Sequence, residues 1–220
     1  MLPVRVIVPM RPVAACKRRL ASDVPDVTRE ALVLLMLSRT VRAVTEALGK
    51  NACWVIGGDA YVRQVTQEAG GTWQEDRASD LNATVLDGML RAHDEGAKAA
   101  IFIPADVPMI TAQDIHTLID VSDGCTRPVG VEASADGGTN ALLVPAGVDL
   151  PPALGHLSYN RHRLNAERAG ATLAAAPAIG LVFDLDLPAD LAYARENIPG
   201  FTAELAEWEK RLDAEETAKS

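Results

Sequence analysis

Two carboxylates, Asp106 and Asp184, each close an apolar run: Ala99-Ala100-Ile101-Phe102-Ile103-Pro104-Ala105-Asp106 and Leu181-Val182-Phe183-Asp184. An apolar run without alternation predicts a strand covered on both faces, and Pro104, which has no N–H, predicts its end. A carboxylate just past a strand's C-terminal end stands where open α/β sheets bind ligands. Its hard oxygens suit a divalent cation, and Asp106 and Asp184 from two strand ends could share one. The plain structural alternative for Asp106 is a cap on a helix beginning near Thr111. Asp186 and Asp190 read differently. Pro188 marks the first turn of a helix, so Asp186 reads as structural and Asp190 as an acid favouring the helix dipole.

Cations gather elsewhere. Residues 1–22 carry Arg5, Arg11, Lys17, Arg18 and Arg19 and no acid. The loop Pro9-Met10-Arg11-Pro12-Val13-Ala14-Ala15-Cys16-Lys17-Arg18-Arg19-Leu20-Ala21 holds no glycine, so it cannot wrap phosphates in backbone N–H groups as a P-loop does. Its tools are side chains, Lys as a point charge and Arg as a fork. A second candidate anion site combines Asp136-Gly137-Gly138-Thr139-Asn140 with Gly155-His156-Leu157-Ser158-Tyr159-Asn160-Arg161-His162-Arg163. The glycine pair allows a sharp turn and close approach, with a simple hairpin as the alternative. Ser158 reads as the N-cap of a helix whose N-terminus, with Arg161 and Arg163 nearby, favours an anion. His162 reads as a packing or hydrogen-bonding residue. Asn82, one residue into a helix capped by Asp80, could hydrogen-bond a base or ribose, or serve only the helix start.

This set of groups suits a nucleoside triphosphate held with Mg²⁺ beside a second, anionic substrate. No nucleophile–base pair stands out. A phosphate acceptor needs none, because its oxygen is already ionised near neutral pH. Positioning and charge neutralisation would then support in-line attack on the α-phosphorus, with pyrophosphate leaving.

The elements that must hold these groups alternate. Strands are predicted at 4–8, ended by Pro9, and at 52–56, 99–104, 127–132, from Thr139 and at 181–184. Helices are predicted at 28–48 with Gly49 as C-cap, 59–69, 81–95, 111–121, 158–169, from Pro188 and from Thr202, with a polar loop at 74–80. The alternation predicts a three-layer α/β/α sandwich around a mostly parallel, Rossmann-like sheet. Residues 1–199 form one domain and 200–220 a charged helix and tail. A net charge of -9 argues against nucleic acid as partner. No apolar run reaches the ~18–20 residues that span a membrane. The start of the chain lacks the pattern of a signal peptide, and Cys16, Cys53 and Cys125 fit reduced thiols, so a cytoplasmic location is expected. The first strand is not followed by Gly-x-Gly-x-x-Gly, which argues against a nicotinamide dehydrogenase.

Six of these segments, in this order, resemble the small guanylyltransferases that make the phosphodiester-linked guanosine precursor of the deazaflavin coenzyme F-420, within the broader MobA-like nucleotidyltransferase class. They are the loop from Pro9 to Ala21, Leu81-Asn82, Pro104-Ala105-Asp106-Val107-Pro108, Gly138-Thr139-Asn140-Ala141-Leu142, Gly155-x-x-Ser158-x-x-Arg161-His162, and Asp184-x-Asp186-x-Pro188-x-Asp190-Leu191. The resemblance runs from about Val4 to Arg195 and implies a fold of the nucleotide-diphospho-sugar transferase type. It implies a nucleotide site at Pro9, Arg11, Lys17, Arg19, Asn82, Pro104 and Asp106, with Lys17, Arg19 and Asp106 catalytic. It implies Mg²⁺ on Asp106 and Asp184, and an acid held by Thr139, Gly155 and Ser158 with help from Arg161. The substrates implied are GTP and 2-phospholactate, phosphoenolpyruvate or 3-phosphoglycerate. The family often carries Lys at the place of Arg11 and Ser or Thr at that of Arg18. It commonly has Pro and a small or acidic residue where His156 and Leu157 stand, so the acceptor loop differs here. A homodimer is compatible with the chain. Two other readings remain open at this level: a molybdopterin- or sugar-type nucleotidyltransferase, which would show a glycine-rich first loop, and a non-catalytic nucleotide-sensing domain, which should have lost a metal carboxylate.

Overall fold

The computed structural model describes residues 4–78 and 80–219. Met1, Leu2 and Pro3 at the start of the chain, Ser79 in the predicted polar loop and Ser220 lie outside the described residues. The strands are β1 (Val4–Met10), β2 (Cys53–Gly57), β3 (Thr72–Gln74), β4 (Ala99–Phe102), β5 (Val129–Glu132), β6 (Thr139–Pro145) and β7 (Ala174–Ala175). They form one sheet in the order β3-β2-β1-β4-β6-β5-β7. The β1–β2, β2–β3, β1–β4 and β5–β7 pairs are parallel, whereas β6 runs antiparallel to both β4 and β5. The sheet is therefore mixed, with its parallel half at β3-β2-β1-β4.

The helices are α1 (Asp26–Leu48), α2 (Ala60–Glu68), α3 (Leu81–Asp94), α4 (Ala112–Val121), α5 (Ser158–Arg168), α6 (Pro188–Asn197) and α7 (Phe201–Lys219). Strand side chains alternate between two separate apolar cores, as the period of two requires. Val6 and Val8 of β1 face one core, built with α1, α2, α4, α6 and α7. Ile7 faces the other, where Val85, Met89 and Ala92 of α3 and Ala166 of α5 cover the sheet. These are the three layers expected from the alternation. Gly88 lets α3 lie close: a Cβ there would stand 2.6 Å from Ile56 Cδ1 and 2.9 Å from Ile7 Cγ2. The N-terminus of α3 is thereby held against the C-terminal ends of β1 and β2.

α1 begins at Asp26 and is buried continuously from Ala31 to Ser38. It packs on the sheet with one side and against α7 and α4 with others. α7 starts at Phe201, which is fully buried, and Leu205 and Leu212 further along the same helix are buried too.

Several local expectations are corrected. Pro9 does not end β1, which continues to Met10 and pairs Pro9 with Ile56. The backbone of Ile7 turns its polar groups to β4, its carbonyl accepting from Ile103 N–H, and that of Pro9 turns the same way two residues on, past the last β1–β4 pair, Ile7 with Phe102. The missing N–H of Pro9 thus interrupts no paired position on that side. β3 occupies the start of the segment read as leading into a polar loop, and β7 was not foreseen. At three and two residues, both are too short to show a period. Residues 181–184 are not a strand. A 3₁₀ turn at Ile179–Leu181 leads into an extended loop. Its backbone meets two different segments: Ser134 N–H donates to Val182 O, and Leu185 N–H donates to Asp106 O. Ser158 is not the N-cap of α5. Leu157 takes that position in a left-handed backbone, φ 54°, and Ser158 is the first helical residue.

Candidate active site

A cavity of about 570 Å³ opens at the C-terminal ends of β1 and β4. Pro9, Arg11, Lys17, Arg19, Pro104 and Asp106 all line it, together with Arg18, Asp76, Asp80, Leu81, Thr84 and Asp186. The loop after β1 is pinned from two sides. Val13 N–H donates to Asp59 Oδ2 at 2.7 Å, and Asp59 also caps α2. Buried Arg29 on α1 donates to the carbonyls of Ala14 and Cys16. Beyond this clamp Lys17 adopts a left-handed backbone, φ 49°. For a non-glycine residue this costs about 1–2 kcal/mol and marks a position held by its surroundings.

What holds Lys17 is a pair of carboxylates. Its ammonium lies 2.6 Å from Asp106 Oδ2 and 2.7 Å from Asp186 Oδ1, with only 7% of the side chain exposed. Burial alone would push its pKa down, but the two carboxylates outweigh it and hold the value above that of an ordinary lysine. Arg19 Nη1 stands 3.3 Å from Asp186 Oδ2 with most of its side chain in solvent. Asp106 and Asp186 converge because Leu185 N–H donates to the Asp106 carbonyl, 3.0 Å, which lays the 184–186 segment over the end of β4. Asp106 caps no helix: Thr111 caps α4 through a box with Asp114. Asp190 accepts the N–H groups of Asp186 and Leu187, fixing the turn that presents Asp186.

Asp184 is not among the residues that line the cavity and makes no ion pair with Lys17, though it lies near enough to Asp106 and Asp186 for their charges to act on it. Its Oδ1 accepts from Asn140 Nδ2 at 3.3 Å. Burial, then the charges of Asp106 and Asp186, raise its pKa above the usual carboxylate value. Among the described residues no group of three His, Cys, Asp or Glu is arranged to hold a metal ion. The donor set nonetheless fits Mg²⁺. Hard oxygens of Asp106 and Asp186 converge on a point that the Lys17 ammonium fills, and a third carboxylate, Asp184, lies close by with its charged form disfavoured chiefly by burial. The raised pKa has a consequence for stability. A carboxyl that binds its proton more tightly in the folded chain makes its ionised form costly above its unfolded pKa. Asp184→Asn is expected to raise Tm near neutral pH in the presence of a chelator, measured by calorimetry. The advantage should shrink as the pH falls through the Asp184 pKa; a lower Tm at neutral pH would contradict it.

The acid-binding candidates lie apart from the cavity lining. Thr139 opens β6 at the edge where β4 ends, because β6 runs antiparallel to it. Its Oγ1 lies 2.9 Å from Ser158 Oγ and 2.9 Å from His162 Nδ1. Ser158 and His162 are fully buried. The glycine turn and the start of α5 are laced together: Leu157 N–H donates to Asp136 O and Tyr159 N–H to Gly137 O. Gly155 adopts φ 120° beside the Arg161 guanidinium, which donates to the carbonyls of His156 and Ala153. Arg163 turns away to Glu167 and Asn160. Asn82 is outside the cavity lining. Its Oδ1 accepts from Leu154 N–H at 2.7 Å, so it holds the acceptor-side segment.

Sequence reasoning missed Asp186, Asp76 and Arg29. Asp76 lines the cavity just past β3 and accepts from Thr84 Oγ1 and Ala78 N–H. Seeing β3 would have marked it as a strand-end carboxylate like Asp106.

A sheet whose strand ends carry a cationic loop opposite clustered carboxylates, over a nucleotide-sized cavity, defines a nucleotidyltransferase-type α/β domain. Solved structures share the fold. A nucleotide-diphospho-sugar transferase from Desulfovibrio desulfuricans superposes with a TM-score of 0.74 at 15% identity, covering 97% of this chain and 96% of that one. A 4-diphosphocytidyl-2C-methyl-D-erythritol synthase gives 0.61 at 12% identity, covering 89% and 98%. The chain belongs to the family described as guanylyl transferase CofC like, whose model matches residues 4–193. A phosphoenolpyruvate guanylyltransferase of Rubrobacter xylanophilus is 33% identical over 84% of this chain and 90% of its own length. A 3-phospho-D-glycerate guanylyltransferase of Phenylobacterium zucineum is 35% identical over 79% and 81%. No helix among the described residues is long and apolar enough to cross a membrane.

Proposed function

We propose that this chain is a cytoplasmic, Mg²⁺-dependent guanylyltransferase of coenzyme F-420 biosynthesis. It transfers GMP from GTP to a small phosphorylated acid and releases pyrophosphate. The observation that carries the reading is Lys17, whose ammonium bridges Asp106 and Asp186 at the wall of a cavity that Arg11, Arg18 and Arg19 also line. Cations meet the triphosphate, and the carboxylates Asp106 and Asp184, joined by Asp186, would hold Mg²⁺, which would neutralise phosphate charge. A phosphate oxygen of the acid forms a bond to the α-phosphorus while the bond to the β-phosphate bridging oxygen breaks. That acceptor oxygen is already ionised, so no side chain has to remove a proton. Lys17 and Arg19 keep the triphosphate in line, and Thr139, Gly155 and Ser158 place the acid.

The relatives' names support phosphoenolpyruvate or 3-phosphoglycerate as the acid. The test is pyrophosphate release with Mg²⁺ and each of GTP, ATP and CTP, against 2-phospholactate, phosphoenolpyruvate and 3-phosphoglycerate. Release is expected with GTP and one of the last two acids, and none when Mg²⁺ is chelated. Release with another nucleotide alone, or none with any pair, would overturn the assignment.

A further inference from the structure

We propose that His162 is a positioning residue for the acceptor: held as its Nδ1–H tautomer, it makes the Thr139–Ser158 hydroxyl pair a hydrogen-bond donor to an anionic oxygen of the acid. The inference rests on a phosphorylated acid as acceptor. A backbone N–H can only donate, and that of Ala153 lies 2.8 Å from His162 Nε2. Nε2 is therefore the accepting nitrogen and the ring proton sits on Nδ1. Nδ1 lies 2.9 Å from Thr139 Oγ1, which receives that proton's hydrogen bond.

The two hydroxyls then settle the rest. Thr139 Oγ1 and Ser158 Oγ are 2.9 Å apart, so one hydroxyl donates to the other. Two hydroxyl protons serve one bond between them, and one proton is left without a partner among the described residues. Ser158 and His162 are fully buried, and Thr139 is 7% exposed. A donor left over at such a place is costly unless filled, and an anionic phosphate or carboxylate oxygen fills it with a charge-assisted bond. Burial, then the nearby Arg161 charge, lowers the imidazole to about 4, so the ring stays neutral and keeps one tautomer at ordinary pH. The segment that supplies Ala153 is itself fixed, since Arg161 donates to Ala153 O and Leu154 N–H donates to Asn82 Oδ1. Asn82 thereby reaches the acceptor side from the start of α3.

Two measurements test this. Nitrogen-15 NMR of the histidine rings in the whole free protein should show His162 as the Nδ1–H tautomer with no titration between pH 6 and 8; an Nε2–H tautomer overturns the proposal. In steady-state assays, Thr139→Val should raise KM for the acid about tenfold to a hundredfold, the loss of one hydrogen bond to a charged group, and His162→Phe should raise it by less, about threefold to tenfold, because the spare proton remains while Thr139 Oγ1 loses the bond that orients it. KM for GTP should stay within about twofold, and His162→Asn, which restores a donor towards Thr139, should recover part of the loss. Added to Thr139→Val, His162→Phe should cost little more, because it acts through that hydroxyl. Fully multiplicative losses, or equal changes in both KM values, overturn it. Should His162→Phe fail to fold, the NMR result and a Thr139→Val, Ser158→Ala cycle decide. A wild-type protein that accepts no acid sinks the acceptor reading and this proposal together, whereas an accepted acid with the Nε2–H tautomer sinks this proposal alone.

Discussion

Asp106→Asn is expected to lower turnover by about two orders of magnitude or more while the chain stays folded. The fold uses the main chain of Asp106, whose carbonyl accepts from Leu185 N–H, and an amide side chain leaves that bond in place. Its carboxylate is 30% exposed, so an isosteric neutral group is accommodated. What is lost is charge. An amide oxygen still accepts from Lys17, yet it neither holds Mg²⁺ as a carboxylate does nor balances the ammonium. Pyrophosphate release and thermal unfolding, measured on the same sample, check both halves. Near-wild-type turnover in a folded variant would overturn the proposal that Asp106 holds Mg²⁺.

Lys17→Met should have a comparable effect on turnover and an opposite signature in stability. Losing the ammonium leaves Asp106 and Asp186 facing each other across the space it filled, with Asp184 near both. Breaking a well-buried pair costs about 3–5 kcal/mol, and the partial exposure of these carboxylates reduces this to about 1–3 kcal/mol. The variant should therefore melt lower than wild type in a chelator. Adding Mg²⁺ should raise its Tm by more than it raises that of wild type, since no resident ammonium competes for the carboxylates. Equal shifts in the two proteins would show that Lys17 and the metal use different places.

Some of this was legible in the residues and some was not, for physical reasons. Asp106 was readable because an unbroken apolar run and Pro104 fix where β4 ends. The long α1, the Asp80 cap and the alternation of strands and helices follow from local chemistry in the same way. Asp186 was not readable. Leu187 and Pro188 announce a helix start, which is correct, but the carboxylate's swing towards Lys17 depends on one long-range bond from Leu185 to Asp106. The Ser158 cap failed because a left-handed Leu157 leaves no mark in composition, and the hydroxyl finds Thr139 instead of its own helix. β3 and β7 exist only as neighbours of longer strands, so no short window contains them. The placement of Asn82 against Leu154 likewise needs two segments 72 residues apart to meet.

On the proposed reading, the reversed direction of β6 makes the two substrate halves modular. The nucleotide side hangs on crossover loops of parallel strands, which the Asp59 and Arg29 clamps tie into the main framework. The acceptor side hangs on a hairpin turn and on the segment that returns from β6 to α5, both of which end on the same edge of the sheet. Changes of length or composition in those two segments would then re-address the acid while the triphosphate grip stays as built. A lineage can thus exchange one small phosphorylated acid for another by local drift, without reinventing the engine that activates the nucleotide.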